Sequence, residues 1–158
     1  LPFEGERDGE IKSLDDVKLL VVQVDRLKEW ARPGFLCIGD AAHAMSPIGG
    51  VGINLAIQDA VAAANILAMP LHENILTFQD LQRVQMRRNF PTRMTQRLQV
   101  TMQNAIIAPA LAAKGAVKPP LVVRIIAATP GLNRLPARLL GLGVRREHVA
   151  PFIRAARG

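Results

Sequence analysis

Apolar and polar positions change their period along the chain, and the changes predict short strands first and helices afterwards. Val17 to Val24, VKLLVVQV, is rich in branched apolar residues and predicts a buried strand that Asp25 ends. Arg26 to Arg32 is polar, with Leu27 and Trp30 as apolar anchors, and Pro33-Gly34 signals a turn before a second strand, Phe35 to Ile38. That strand delivers Gly39-Asp40 at its carboxyl end. From Ala41 to Gly50 the residues are small, with Pro47 and Gly49-Gly50, so the backbone can approach another group closely.

Val51 or Gly52 through Ala68 is apolar on nearly all sides, which predicts a buried helix stopped by Pro70. Its few polar residues, Asn54, Gln58 and Asn65, share one stripe. A second helix is expected from Thr77, whose hydroxyl can cap the amide near Asp80, to beyond Gln99. Pro91 should kink it, because an internal proline removes one backbone bond at a cost of about 3 kcal/mol. Arg83, Arg87, Arg88, Arg93 and Arg97 give this helix a basic side, read either as a solvated face or as an anion contact. Beyond Pro119-Pro120, Leu121 to Ala128 predicts a short apolar helix or strand. The turn Thr129-Pro130-Gly131 and a last helical stretch, Leu135 to Leu140, follow, ending at Gly141 and Gly143.

At 158 residues, with 49% hydrophobic and 21% charged, the chain has the composition of one folded unit rather than a disordered one. The net charge of +7 admits acidic partners, but the absence of Tyr and the single Trp speak against a stacking platform for nucleic acid. Cys37, the only cysteine, lies in an apolar run and reads as a small buried core residue. His43, His72 and His148 lack companions at metal-ligand spacing, so no metal site is expected. The apolar stretches are broken before the roughly 20 residues that span a bilayer, and a cytoplasmic location is expected. The chain opens on Leu1 and a polar segment, and reads as a piece of something longer.

The segment with chemical content is Gly39 to Asp59, GDAAHAMSPIGGVGINLAIQD. A carboxylate at a strand end can accept hydrogen bonds from sugar-like hydroxyls, and glycines admit a ligand close to unpaired N–H groups at a helix start, where negative charge is favoured. Ser46 lacks the GxSxG setting of a hydrolase nucleophile, Met45 reads as core filler, and His43 among small apolar residues is as readily packed or capping as catalytic.

This stretch resembles the GD motif and the following PxxGxGxN element of FAD-dependent aromatic hydroxylases. The likeness runs from Phe35 to Ala68, is preceded by Arg26-Leu27 and Trp30, and continues more weakly through Arg88 with Pro91 and Pro130-Gly131-Leu132. The resemblance implies an α/β flavoprotein of FAD/NAD(P)-binding type, of which this chain would be a mostly helical C-terminal portion with a few strands. Residues 1–32 would end a substrate-domain sheet, 33–70 would form the flavin-binding strand, loop and helix, and 71–158 a C-terminal helical region. Asp40 would bond the ribitol, Gly39 would let the chain turn beside it, and Pro47 would lie against the isoalloxazine. Gly49, Gly50, Val51, Gly52, Ile53 and Asn54 would bring backbone to the flavin. The implied enzyme is a monooxygenase in which NAD(P)H reduces FAD and O2 supplies an oxygen atom to an organic, aromatic, substrate. Halogenation or ring reduction are related outcomes of the same element. The GxGxxG turn of the family is absent here, because Gly49-Gly50-Val51-Gly52 lacks its third glycine and does not directly follow a strand. The ADP half of FAD would then come from a complementing N-terminal chain, and apolar helices such as Leu121 to Ala128 could pair with a second copy to give a homo-oligomer. A reading of different class is a non-catalytic basic helical module that binds a protein partner or an anionic surface.

Overall fold

The computed structural model of the chain describes residues 13, 23–47, 50–112, 121–132 and 134–155. The strand expected at Val17 to Val24 lies outside them except for Gln23 and Val24, which form no strand. Among the described residues, four two-residue strands precede the long helices: β1 (Asp25–Arg26), β2 (Ala31–Arg32), β3 (Phe35–Leu36) and β4 (His43–Ala44). β1 pairs antiparallel with β4, Asp25 opposite Ala44, and β2 pairs antiparallel with β3, Ala31 opposite Leu36. The β2–β3 turn is Pro33-Gly34, and Gly34 takes φ 74°, a conformation that costs an L side chain. The paired strand is shorter than the expected Phe35 to Ile38, although the Cys37 N–H still donates to the Trp30 carbonyl at 2.8 Å. Cys37 is half-buried rather than buried, and of the two anchors Trp30 is inside while Leu27 stays exposed.

The helices are α1 (Val51–His72), α2 (Phe78–Met102), α3 (Ala108–Ala112), α4 (Leu121–Ala128), α5 (Arg134–Leu142) and α6 (Pro151–Ala155), with a π turn at Gln103–Ile107 between α2 and α3. α1 passes through Pro70 instead of stopping before it. Near a helix end the proline forfeits only its own N–H bond, and the helix ends two residues later at His72, followed by Asn74 in the left-handed conformation at φ 56°. Nor is α1 buried all round: Val51, Leu55, Asp59, Ala62 and Leu67 face inward while Ile53 and Ile57 are exposed. By length and composition it is apolar enough to cross a membrane, contrary to the expectation from the sequence. In this fold it instead packs on α2 and carries a buried, ion-paired carboxylate on the packed face.

α2 opens with a reciprocal capping box, in which Thr77 Oγ1 accepts from the Asp80 N–H and Asp80 Oδ2 accepts from the Thr77 N–H. It runs on through Pro91, and Thr92 Oγ1 bonds the Arg88 carbonyl at 2.9 Å. The apolar core is Ala31, Leu67, Leu81 and Val84, with Leu36, Ala63, Ile66 and Leu76 packed on it. From Leu67 beside Leu81 to Asp59 on Arg88, the contacts step in opposite directions along the two helices, so α1 and α2 are antiparallel.

The polar stripe of α1 has a structural task. Asn54, Gln58 and Asn65 donate side-chain N–H bonds to the carbonyls of Gly141, Leu142 and His148 at 3.1, 3.3 and 2.8 Å, and Asn65 also accepts from the Ala150 N–H at 2.8 Å. These bonds lay the segment after α5 along α1. The segment begins where Gly143, at φ 75°, closes α5, which includes Gly141 and so ends later than expected. Asn65→Ala removes both bonds at one point, and limited proteolysis between Gly143 and Ala150 should become several-fold faster while the α1–α2 core stays intact. Equal cleavage of variant and parent would show that the stripe does not hold the segment.

Candidate functional site

Short strands with few ladder bonds leave carbonyls of the 25–46 region in need of donors, and α2 supplies them. Gln85, Arg88, Thr92, Gln96 and Gln99 follow one another at helical spacing and form a polar stripe on the inner face of α2. Gln85 accepts from the Trp30 N–H at 2.9 Å and donates to the Lys28 carbonyl at 2.8 Å. Gln96 donates to the carbonyls of Asp25 and Ala44 and accepts from Arg26 Nη1 at 2.8 Å. Gln99 donates to the Ser46 carbonyl at 2.9 Å. The loop that carries Gly39-Asp40 is therefore fixed against one face of a long helix.

At the end of β3, Ile38 is extended and Gly39–Ala41 makes one 3-10 turn. Gly39 takes φ 58°, and a Cβ there would stand 3.0 Å from the Ala56 Cβ, so both conformation and close packing on α1 call for glycine. Asp40, next in the turn, is exposed, and among the described residues its carboxylate takes no hydrogen bond or ion pair. A cavity of about 100 Å³ opens beside it, lined by Asp25, Arg26, Leu27 and Ala41 to Ala44.

The start of α1 stands across from this carboxylate. A Cβ added to Gly52 would lie 3.8 Å from Asp40 Oδ1 and 3.5 Å from the Met45 Cβ. Gly50 is the N-cap at φ 61°, no side chain caps the helix, and its first turn holds no acidic residue. Among the described residues no side chain takes the first-turn amides, which with the dipole suit an external acceptor. Of the other expected site residues, Pro47 is exposed at the loop end and its carbonyl accepts from the Gly50 N–H at 3.2 Å. Val51 is buried and Ile53 is 72% exposed, so neither side chain lines a pocket with Asp40. The Asn54 side chain is taken by Gly141, which leaves only its backbone for a ligand. Gly49 lies outside the described residues.

Behind the turn is a group that sequence reading did not single out. Asp59, on α1, is fully buried and accepts from the Gly39 N–H at 3.1 Å and from His43 Nε2 at 2.5 Å through one oxygen, and from Arg88 Nε at 2.7 Å through the other. Burial is the largest influence on the Asp59 carboxyl and pushes it up. The hydrogen bonds from His43 and Arg88, the charge of His43 and the Gly39 amide together outweigh it and hold the group below the ordinary value of 3.8. An ionised carboxylate only accepts, so Nε2 of His43 carries the proton in this bond. The His43 ring packs against Trp30 with centroids 5.1 Å apart and the planes tilted by 48°. Beyond Arg88, the Glu147 side chain is buried and accepts two bonds from Arg87 at 2.8 and 2.9 Å, which raises the Arg87 guanidinium.

The basic side expected on α2 is accordingly divided. Arg88 is interior, Arg87 is paired with Glu147 and Arg83 with Asp80, while Arg93 and Arg97 join Arg26 around a separate cavity of about 450 Å³. Long polar residues at helical spacing do not reveal by themselves which of them points inward.

The open carboxylate, the glycine opposite it and the uncapped helix start suit the hydroxyl-bearing and ring portions of a flavin. Residues 6–97 match the FAD binding domain family. Over 132 residues the chain is 39% identical to 6-methylpretetramide 4-monooxygenase of Streptomyces rimosus, covering 84% of this chain and 31% of that protein. It is 33% identical over 127 residues to the FAD-dependent monooxygenase atmM of Aspergillus flavus, covering 78% of this chain and 26% of that protein. A shorter stretch of 62 residues is 37% identical to 3-demethoxyubiquinol 3-hydroxylase of Escherichia coli (strain K12), covering 38% of this chain and 16% of that protein. The chain thus spans less than a third of the length of these relatives. The matched residues include the Gly39-Asp40 turn, the start of α1 and Arg88, and the chain belongs to the FAD binding domain family.

Proposed function

We propose that the chain is the portion of an FAD-dependent monooxygenase that holds the ribitol and the isoalloxazine of the cofactor, acting as part of a longer or complemented protein. The observation that carries this reading is the unpaired Asp40 carboxylate facing Gly52 at an uncapped helix start. Asp40 would accept hydrogen bonds from ribitol hydroxyls. Gly52, which has no side chain, would leave the helix start open beside that carboxylate, and the first-turn amides of α1 would face the pyrimidine edge of the ring. Reduced flavin bears negative charge near that edge, and amides already oriented toward it stabilise the charge without rearrangement. When bound, FAD would supply the oxidation chemistry, with NAD(P)H as reductant and O2 as the source of the oxygen placed on an organic, aromatic, substrate. Residues 33–70 form the cofactor segment in this reading, and 71–158 support it from the helical side.

The test is the visible absorbance of the purified chain after incubation with FAD and gel filtration, repeated on the longer polypeptide encoded by the parent gene. Flavin bands should stay with at least the longer protein, and Asp40→Ala should cut retention by at least about tenfold, the loss of one or two charge-assisted hydrogen bonds, without changing the far-UV circular dichroism. A longer protein that stays colourless, or an Asp40→Ala variant that keeps its FAD, would sink the reading.

A further inference from the structure

We infer that Asp59 is a positioning residue for the Gly39–His43 turn, holding the Asp40 carboxylate at the cofactor by fixing the backbone on both sides of it. The inference rests on the flavin reading of Asp40. Among the described residues Asp40 has no hydrogen-bond or ion-pair partner of its own, so the direction of its carboxylate depends on the turn that bears it. One oxygen of Asp59 takes the N–H of the residue before Asp40 and the ring of the residue three after it. The other oxygen takes Arg88 and so ties the turn to α2 as well as to α1. An ion pair serving the core alone would be complete with Arg88; the second oxygen is instead given to the two ends of the turn. All three side chains are fully buried, so water offers the turn no substitute bonds. A site group held in this way by packed neighbours needs no reordering when the ligand arrives.

Asp59→Asn is the direct variant, because one amide cannot accept from Arg88 on one side and from Gly39 and His43 on the other. It can also unfold the chain, so the deciding pair is His43→Leu against His43→Gln, in which glutamine restores an N–H near the place of Nε2. Amide hydrogen exchange of Gly39 is followed by NMR in the full chain, with Val84 in the α1–α2 core as the internal reference. His43→Leu should speed Gly39 exchange by about tenfold relative to Val84, and His43→Gln should bring it back to within about threefold of the parent. Unchanged Gly39 exchange in His43→Leu, or the same exchange in both variants, would overturn the inference. FAD affinity, read by flavin fluorescence, gives a second arm. His43→Leu should weaken FAD binding by about tenfold when Asp40 is present and cause no further loss on top of Asp40→Ala. Additive losses would overturn the positioning role. If the longer protein takes up no FAD, or Asp40→Ala leaves its affinity unaltered, the flavin reading fails, and Gly39 exchange still decides whether His43 and Asp59 fix the turn.

Discussion

Asp59→Ala is expected to lower the unfolding free energy of the chain by about 3–5 kcal/mol, the range seen when one member of a buried ion pair is removed. The loss has three parts. Arg88 Nε loses its acceptor while fully buried, the Gly39 N–H loses its acceptor, and His43 is left facing a void beside Trp30. Glu147, 3.6 Å from Arg88 Nη1, remains as counter-charge but is already engaged by Arg87. Against the 5–15 kcal/mol typical of a folded domain, this change removes much of the margin. Urea unfolding followed by circular dichroism would measure it, and a loss under about 1 kcal/mol would mean that the network contributes little.

The same carboxylate gives a pH signature with a definite sign. Its pKa is depressed by folding, so its contribution is fully present above the unfolded carboxylate value of 3.8 and is lost as pH falls through the lower folded value. Stability of the parent chain should therefore decline in that acid window, and Asp59→Ala should lose this part of the slope. A variant with the parent's acid profile would assign the acid sensitivity to other groups.

The part of the site that was legible in the sequence is the part written in backbone constraints. Gly39, Gly50 and Gly52 mark places where a side chain is strained or where another group comes close, and such places need glycine whatever surrounds them. Asp40 was legible through its position at a strand end in front of those glycines. Asp59, His43 and Arg88 were not, because their meaning depends on three elements meeting in space, and a histidine or arginine reads the same whether it faces water or an interior carboxylate. One signal was present: Gln85, Arg88, Thr92, Gln96 and Gln99 at helical spacing announce a polar helix face with something to bind. The same ambiguity explains α1. Its apolar residues point in all directions, yet Ile53 and Ile57 stay exposed in a chain that spans less than a third of the relatives it matches. At Pro70 the rule that proline stops a helix met an end that was already near, and the left-handed Asn74 decided the boundary instead.

Two glycines thirteen positions apart should behave in opposite ways when given a methyl group. Gly39→Ala should lose about 2–4 kcal/mol of stability, because φ 58° costs an L residue about 1–2 kcal/mol and a Cβ 3.0 Å from Ala56 adds an overpacking cost of similar size. Gly52→Ala meets neither obstacle. Its φ lies outside the left-handed region, the nearest atoms would be at 3.5 and 3.8 Å, and alanine within a helix is favoured over glycine by about 0.5–1 kcal/mol. Its stability should hold or rise slightly. The added methyl nevertheless stands 3.8 Å from Asp40 Oδ1 at the helix start, beside which the flavin reading seats the cofactor, so FAD retention should fall while the fold improves. Urea unfolding and FAD retention measured on both variants separate a glycine required by the chain's own packing from one left open for a ligand. If Gly52→Ala holds FAD as the parent does, the cofactor does not lie against Gly52 beside Asp40, and the first-turn amides lose their assigned role.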